Sequence, residues 1–260
     1  MIDTHCHLTF PGLFEQVDAV LARARGAGVD RMISVATTPD DAKRAAALAV
    51  DEAGVFATVG VHPHYAGEWA DRDALVEAML AVAGLKGVVA WGEMGLDYHY
   101  DEPTAEVQRQ VFAWQLEVVR EHGGALPVVI HNREATDDVL AMIREAGLAG
   151  ERFVFHCFTG SRAELEAVLA IGAMVSFTGI VTFNSARDLA AASDVVPLER
   201  LMVETDSPYL TPEPYRKVRP NEPRYVREVA RFLAKRRGMS EAEFVKVVDG
   251  NAERFFGLRG

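Results

Sequence analysis

The stretch MIDTHCHL, residues 1–8, is a short apolar run that holds two histidines one residue apart. Side chains of a β-strand point alternately to opposite faces, so His5 and His7 are predicted to share a face with Asp3, while Cys6 lies on the other face. The stretch has neither the basic nor the apolar region of a secretory signal, so both histidines are expected in the mature fold. It predicts a first strand that ends in two imidazoles.

Apolar, β-branched runs like this first strand recur along the whole chain. Each apolar, β-branched run is followed by a segment with apolar residues three or four positions apart, which is typical of an amphipathic helix. The predicted strands are Met1–His7, Arg31–Ala36, Val55–Val61, Val88–Trp91, Leu126–His131, Phe153–His156, Ala173–Phe177 and Leu201–Glu204. Strands that alternate with helices indicate parallel βαβ units, and eight units favour a (β/α)8 TIM-like barrel over an open sheet. Residues 223–237 and 240–256 are predicted as closing helices of a single domain, 1–260.

The composition argues against several classes of protein. No apolar run approaches the roughly 20 residues that cross a bilayer, so no membrane span is expected. Only two cysteines occur, Cys6 and Cys157, which argues against a disulfide framework and favours the reducing cytoplasm. Both are predicted to pack as small apolar side chains that face away from the histidines. The formal net charge of −11 disfavours nonspecific coating of nucleic acid.

Five of the eight predicted strands end in a side chain that binds metals. The active site of such a barrel lies at the carboxyl ends of its strands. The candidates there are His5, His7, Glu93, His131, His156, Glu204 and Asp206. Each has an ordinary structural role when taken alone, but buried charges on one rim are costly without partners. Imidazole and carboxylate together suit zinc, manganese, iron or magnesium, and one carboxylate can bridge two ions about 3.5–4 Å apart.

Seven ordered stretches of the chain resemble the TatD-type metal-dependent deoxyribonucleases, a TIM-barrel branch of the amidohydrolase superfamily. They are MIDTHCHL, GVHPH, GEMGLDY, PVVIHNREATDD, HCFTG, ETDSPYL and the RPNEP segment, which together span residue 1 to about residue 223. Two departures are Thr9, where the family usually has Asp or Asn, and the more basic YRKVRPNEP segment at the substrate rim.

The resemblance implies two divalent metal ions per subunit, of magnesium, manganese or zinc. His5 and His7 would bind one ion and Glu93 would bridge to the second. His131 and His156 would bind that second ion, and Asp206 would be a ligand beside the attacking water. The implied reaction is hydrolysis of phosphodiester bonds of DNA by an activated water, with 3'-5' exonuclease action on single-stranded or damaged DNA.

Further residues receive catalytic or substrate-binding roles as hypotheses. Asp206 and Glu93 are predicted to be catalytic, with Asp206 orienting or deprotonating the water. Glu204 is predicted either to support a ligating histidine or to be a structural carboxylate of the barrel. His62 and Arg133 are predicted to bind phosphate, the alternative for Arg133 being a surface ion pair with an acidic neighbour, Glu134 or Asp137. His64 is expected to be exposed.

The region between Arg216 and Arg237 carries nine basic and two acidic residues. It is predicted to be either a strip that guides a phosphate backbone or a solvated helix face. Loop aromatics that would stack on bases or pack locally are Trp69, Tyr98, Tyr100, Tyr209 and Tyr215. Two other functions stay open, a deacylase acting on aminoacyl-tRNA or another ester or amide, and a non-catalytic metal-binding scaffold. The sequence predicts no oligomeric state.

Overall fold

The computed structural model describes residues 1–258 and contains eight parallel strands, which follow one another around the sheet in chain order. They are β1 Ile2–Cys6, β2 Arg31–Ser34, β3 Val55–Val59, β4 Val88–Asp97, β5 Val128–Arg133, β6 Phe153–Phe155, β7 Met174–Phe177 and β8 Leu201–Val203. A parallel bridge between Cys6 and Ser207 joins the exit of β8 to β1 and closes the circle. The predicted (β/α)8 barrel is confirmed.

Helices cover the outside of the barrel. They are α1 Pro11–Phe14, α2 Val17–Gly26, α3 Pro39–Asp51, α4 Arg72–Ala83, α5 Ala105–His122, α6 Thr136–Glu145, α7 Arg162–Ala170, α8 Arg187–Ser193, α9 Val226–Arg236 and α10 Glu241–Phe256. The predicted closing helices correspond to α9 and α10. Ser240 caps the start of helix α10, where its hydroxyl and the side chain of Glu243 form a capping box, and Gly257, with a φ of +65°, caps its end.

The apolar core has two parts. The larger part lies between the helices and the outer face of the sheet. The smaller part brings together inward-facing side chains from seven of the strands or their ends, such as Ile2, Val129 and Met202, with Phe256 of α10. These side chains fill one end of the barrel, so the polar side chains collect at the other end. None of the helices within residues 1–258 has the length and apolar character needed to cross a membrane.

Strand β4 continues six residues beyond its predicted end at Trp91. Its pairing with β5 shifts register between Trp91 and Met94. Gly92 and Gly95 have φ values of +110° and +145°, and a Cβ at Gly95 would overlap the carbonyl oxygen of His131. The irregular backbone places Glu93 inside the strand at a bulge, rather than at the strand's end as predicted.

Strand β1 also breaks the strict alternation expected of it. The pairing with β2 shifts register between Asp3 and Cys6. The carboxylate of Asp3 accepts hydrogen bonds from the backbone N–H and hydroxyl of Thr205 and from the backbone N–H of His5. Asp3 therefore fastens β1 to the end of β8 and does not join the two histidines at the site.

Candidate metal centre

The histidines at the end of β1 face each other across a narrow gap. Nε2 of His5 lies 3.3 Å from Nε2 of His7. Nδ1 of His7 lies 2.8 Å from the carbonyl oxygen of Val35, and because a carbonyl only accepts, this Nδ1 carries a proton. In the neutral ring, Nε2 of His7 then presents a lone pair to the gap, as a metal ligand does.

Asp206 supplies an oxygen to the same gap. Its Oδ1 lies 3.3 Å from Nε2 of His7 and 3.7 Å from Nε2 of His5. The first turn after β8 has a φ of +54° at Asp206, and the N–H of this residue donates to the carbonyl of His5 at 2.8 Å. The two strand ends are thus tied together, and their three ligand atoms converge closely enough to share one ion.

Glu93 lies at the centre of the cluster. Its Oε1 is 2.7 Å from Nε2 of His156 and 2.8 Å from Nδ1 of His131. Its Oε2 is 3.4 Å from Nε2 of His5. One carboxylate therefore contacts both halves of the cluster, which is the arrangement that a bridging ligand requires. The structure brings together all six residues predicted as ligands.

The charges of the cluster suit a bound cation. Burial alone would raise the pKa of Glu93, but the imidazoles of His156 and His62 outweigh it and hold the pKa well below its usual range. Burial likewise opposes ionisation of Asp206, but the bond to His7 and the neighbouring imidazoles of His5 and His156 together outweigh it and lower the pKa. Within residues 1–258, the ion-pair partners of these two carboxylates are all imidazoles. This set of nitrogen and oxygen donors fits divalent zinc, manganese, iron or magnesium.

Two further carboxylates stand behind the histidines. Oδ2 of Asp97 lies 2.9 Å from Nε2 of His131. Oε1 of Glu204 lies 3.4 Å from Nδ1 of His156, while Oε2 of the same group accepts from the hydroxyl of Ser176 at 2.6 Å. Glu204 is 1% exposed and does not line the cavity, so it contacts the site through His156. Carboxylates in such positions orient a ligating ring and raise its basicity.

Asp97 is a site residue that the sequence analysis missed. It lies within the GEMGLDY stretch, but the predicted end of β4 at Trp91 left it in a loop. Glu93, Gly95 and Asp97 alternate along the strand, so the period-2 pattern of a longer β4 would have found it. His64 is exposed, as expected, and its Nε2 lies 3.0 Å from Oδ2 of Asp97.

A cavity of about 720 Å³ opens above the cluster. Both predicted phosphate-binding residues line it. His62 lies deeper than expected, 3.2 Å from His131 and 3.5 Å from Glu93, and burial lowers its pKa well below the ordinary value. The guanidinium of Arg133 lies 5.4 Å from the centre of the Tyr100 ring. The alternative ion pair of Arg133 with an acidic neighbour is not formed within residues 1–258.

The two cysteines differ from each other. Cys6 is fully buried in the larger core, as predicted, with its thiol 3.3 Å from the carbonyl oxygen of Ile33. Cys157 instead lines the cavity, because a φ of +44° turns the chain there. Its thiol lies 3.5 Å from the hydroxyl of Thr178 and joins none of the groups of possible metal ligands among residues 1–258. Burial raises the pKa of both thiols well above the usual value, so neither is a ready thiolate.

The basic residues between 216 and 237 are mostly engaged within the protein. Arg227 pairs with Glu241 at 2.7 Å, Arg231 with Glu228 at 2.8 Å, and Arg236 with Asp194. No residue of this region lines the cavity. The structure therefore favours the second of the two predictions, a solvated helix face.

The loop aromatics fall into two groups. Tyr98 donates its hydroxyl to Asp138, and the ring of Tyr215 packs at 4.9 Å from that of Tyr225. Trp69 packs against the larger core. Only Tyr100 and Tyr209 of the predicted set line the cavity, and Tyr65, which was not predicted, lines it as well.

Comparison with known proteins gives consistent matches over nearly the whole chain. The model of the family described as TatD related DNase matches residues 2–257. The uncharacterized metal-dependent hydrolase YcfH of Escherichia coli strain K12 is 39% identical over 259 residues, which cover 98% of this chain and 95% of YcfH. The 3'-5' ssDNA/RNA exonuclease TatD of Klebsiella pneumoniae is 34% identical over 262 residues, covering 99% and 98%. The crystal structure of YjjV, a TatD homolog from E. coli, matches with a TM-score of 0.91 at 29% identity, covering 100% and 98%.

Proposed function

Since the chain belongs to the TatD-related DNase family of metal-dependent hydrolases, we propose that it cleaves phosphodiester bonds of single-stranded DNA as a 3'-5' exonuclease. The observation that carries the proposal is the cluster of imidazoles and carboxylates at an open cavity, with Arg133 on the cavity wall. The 3'-5' direction and the single-stranded substrate follow the Klebsiella relative, which is named a 3'-5' ssDNA/RNA exonuclease. The two unpaired cysteines support a cytoplasmic setting.

The proposed ligand sets overlap at one residue. As the family resemblance implies, His5, His7 and Asp206 would hold one divalent ion, His131 and His156 would hold the second, and Glu93 would contact both. The ligand atoms of His5, His7 and Asp206 converge on one point. The carboxylate of Glu93 lies within 3.4 Å of His5, His131 and His156. Magnesium, manganese and zinc all suit these donors. Bound there, the ions would lower the pKa of water and offset the charge of the phosphate.

The protein's own residues then orient the reactants. Asp206 is ionised at neutral pH because its pKa is lowered, so it can accept a proton from water at the cavity floor. Arg133 is always charged and can donate two parallel hydrogen bonds to phosphate oxygens. Asp97 holds His131 in place from behind, and Glu204 lies 3.4 Å from Nδ1 of His156.

The test is hydrolysis of a 5'-labelled single-stranded DNA oligonucleotide by metal-stripped protein. Magnesium, manganese and zinc are restored one at a time, and Asp206→Asn is run beside the wild type with its fold checked by circular dichroism. Metal-dependent cleavage that disappears in the variant supports the proposal, and the product ladder gives the direction. Full activity in the variant would remove Asp206 from the mechanism. Absence of cleavage with every metal, together with hydrolysis of an aminoacyl-tRNA, would favour the deacylase.

A further inference from the structure

Two exposed aromatic rings stand together beside the cluster, and one of them lines the cavity. Phe10 is 40% exposed and Tyr209 is 50% exposed, and their ring centres are 5.8 Å apart at an interplanar angle of 73°. Tyr209 lines the cavity, and its ring lies edge-on to that of His7, with centres 6.4 Å apart. The two rings together form exposed aromatic surface beside the proposed metal ligands.

Backbone hydrogen bonds fix the main chain of the two residues that carry the rings. Each ring comes three residues after a proposed metal ligand and is returned towards that ligand by a single turn. The N–H of Phe10 donates to the carbonyl of His7 at 3.0 Å, and the N–H of Tyr209 donates to the carbonyl of Asp206 at 2.9 Å. The strand ends that supply the ligands therefore also supply the two rings.

Additional contacts keep each turn rigid. The carbonyl of Phe10 accepts from the N–H groups of Leu13 and Phe14 and so caps α1. The fully buried side chain of Asn221 donates to the carbonyls of Tyr209 and Thr205. A binding surface that is preorganised in this way loses little conformational entropy when a ligand stacks on it.

A positively charged side chain lies on another part of the cavity wall, away from the two rings. Arg133 lies at the end of β5, whereas the rings lie at the ends of β8 and β1. A ligand that spans the cavity must therefore offer a phosphate to the ion cluster and the guanidinium, and a planar apolar group to the rings. A nucleotide has both parts, and every base has a face that stacks on an aromatic side chain.

We propose that Phe10 and Tyr209 form a base-stacking platform for the nucleotide next to the cleaved phosphodiester. This inference rests on the proposed function and adds a subsite to it. A base that lies on the rings is no longer paired, so the platform selects single-stranded ends. It acts on any base sequence, because stacking does not read hydrogen-bonding edges.

The test measures KM and kcat of the wild type and of four variants on each of several substrates. Tyr209→Leu and Phe10→Leu remove a ring and keep an apolar side chain, Tyr209→Phe keeps the ring, and Tyr215→Leu is the control outside the cavity. The substrates are a single-stranded oligonucleotide and a series with one abasic residue at the first, second or third position from the 3' end. The leucine variants are expected to raise KM roughly 5- to 150-fold, the range for loss of one base–aromatic stack, with kcat nearly unchanged.

The abasic substrates separate stacking from a general effect on the site. When the abasic residue occupies the platform position, wild type and leucine variants are expected to have the same KM. Tyr215→Leu is expected to behave as wild type throughout, and Tyr209→Phe is expected to keep the difference in KM between the intact and the abasic substrates, because it keeps the ring. An equal loss on all substrates, or no change in KM for the leucine variants, would overturn the proposal.

A binding measurement decides the case in which the wild type cleaves no oligonucleotide. That result would count against the proposed function, and the platform is then judged by calorimetric affinity for dAMP against 2-deoxyribose 5-phosphate. Tighter binding of dAMP by the wild type, lost in Tyr209→Leu, supports the platform. Equal affinities would refute it.

Discussion

Replacing Gln115 by methionine would test how the ends of the strands are held at the site. Gln115 lies on α5 and is 1% exposed. Its Oε1 accepts from the N–H of Val61 at 2.7 Å, and its Nε2 donates to the carbonyl of Val61 at 3.0 Å. Val61 directly precedes His62. Gln108, two turns earlier on α5, holds the backbone of Asp97 in the same way, with both distances 2.8 Å.

Methionine keeps the length and the helix propensity of glutamine but cannot make either bond. Both backbone groups of Val61 then lose a buried partner, at about 1–3 kcal/mol each. The free energy of unfolding should fall by about 2–6 kcal/mol, and Tm should fall by roughly 5–20 °C for a chain of this size. Urea and thermal unfolding followed by circular dichroism measure both quantities.

Gln110→Met is the matched control because Gln110 is exposed on the same helix. Its free energy of unfolding should change by no more than about 0.5 kcal/mol. If Gln115→Met were no less stable than Gln110→Met, the argument that α5 holds the end of β3 through Gln115 would be refuted.

Three further predictions concern the site. Asp97→Asn should weaken zinc binding by roughly 10- to 100-fold, because the negative charge behind His131 is lost. Competition with a chelating dye measures the zinc affinity. An unchanged affinity would count against the role of Asp97 in orienting His131. In the metal-free protein, burial disfavours the charged form of His7, but Asp206 outweighs it and raises the pKa to about 9. Binding of an ion must then release this proton, so zinc affinity should rise with pH up to about 9, and calorimetry in two buffers should detect at least one proton released. A zinc affinity that does not change with pH would contradict this prediction. Arg133→Gln should raise KM for the oligonucleotide roughly tenfold or more by losing a charge-assisted contact, whereas Arg216→Gln, outside the cavity, should leave KM unchanged.

The parts of the fold that follow local rules could be predicted from the sequence. Alternating strand and helix patterns gave the barrel, and the predicted strands coincide with the observed ones to within a few residues, except at β4. The ligand candidates were found because they directly end or follow apolar runs. Parallel strands in a barrel bring all such ends to one rim whatever their separation in the chain.

The remaining features depend on contacts between distant residues. The register shift in β1 separates Asp3 from the two histidines, so strict alternation along the strand placed Asp3 with them wrongly. Asp97 was missed because the predicted strand ended at Trp91, before the register shift in β4. The contacts of Gln115 and Asn221 are bonds from a side chain to a distant backbone, and a single glutamine or asparagine in the sequence carries no sign of them. The ion pairs of the arginines after β8 likewise depend on which acidic side chains the fold brings close to them.

Anomalous diffraction from zinc-loaded crystals, recorded on both sides of the zinc absorption edge, is the most direct test of the metal centre. We predict two peaks on either side of Glu93, each about 2.0–2.2 Å from its ligand atoms. The first should contact His5, His7 and Asp206, and the second His131 and His156. A structure with no peak at this cluster, or with zinc bound only elsewhere, would contradict the account.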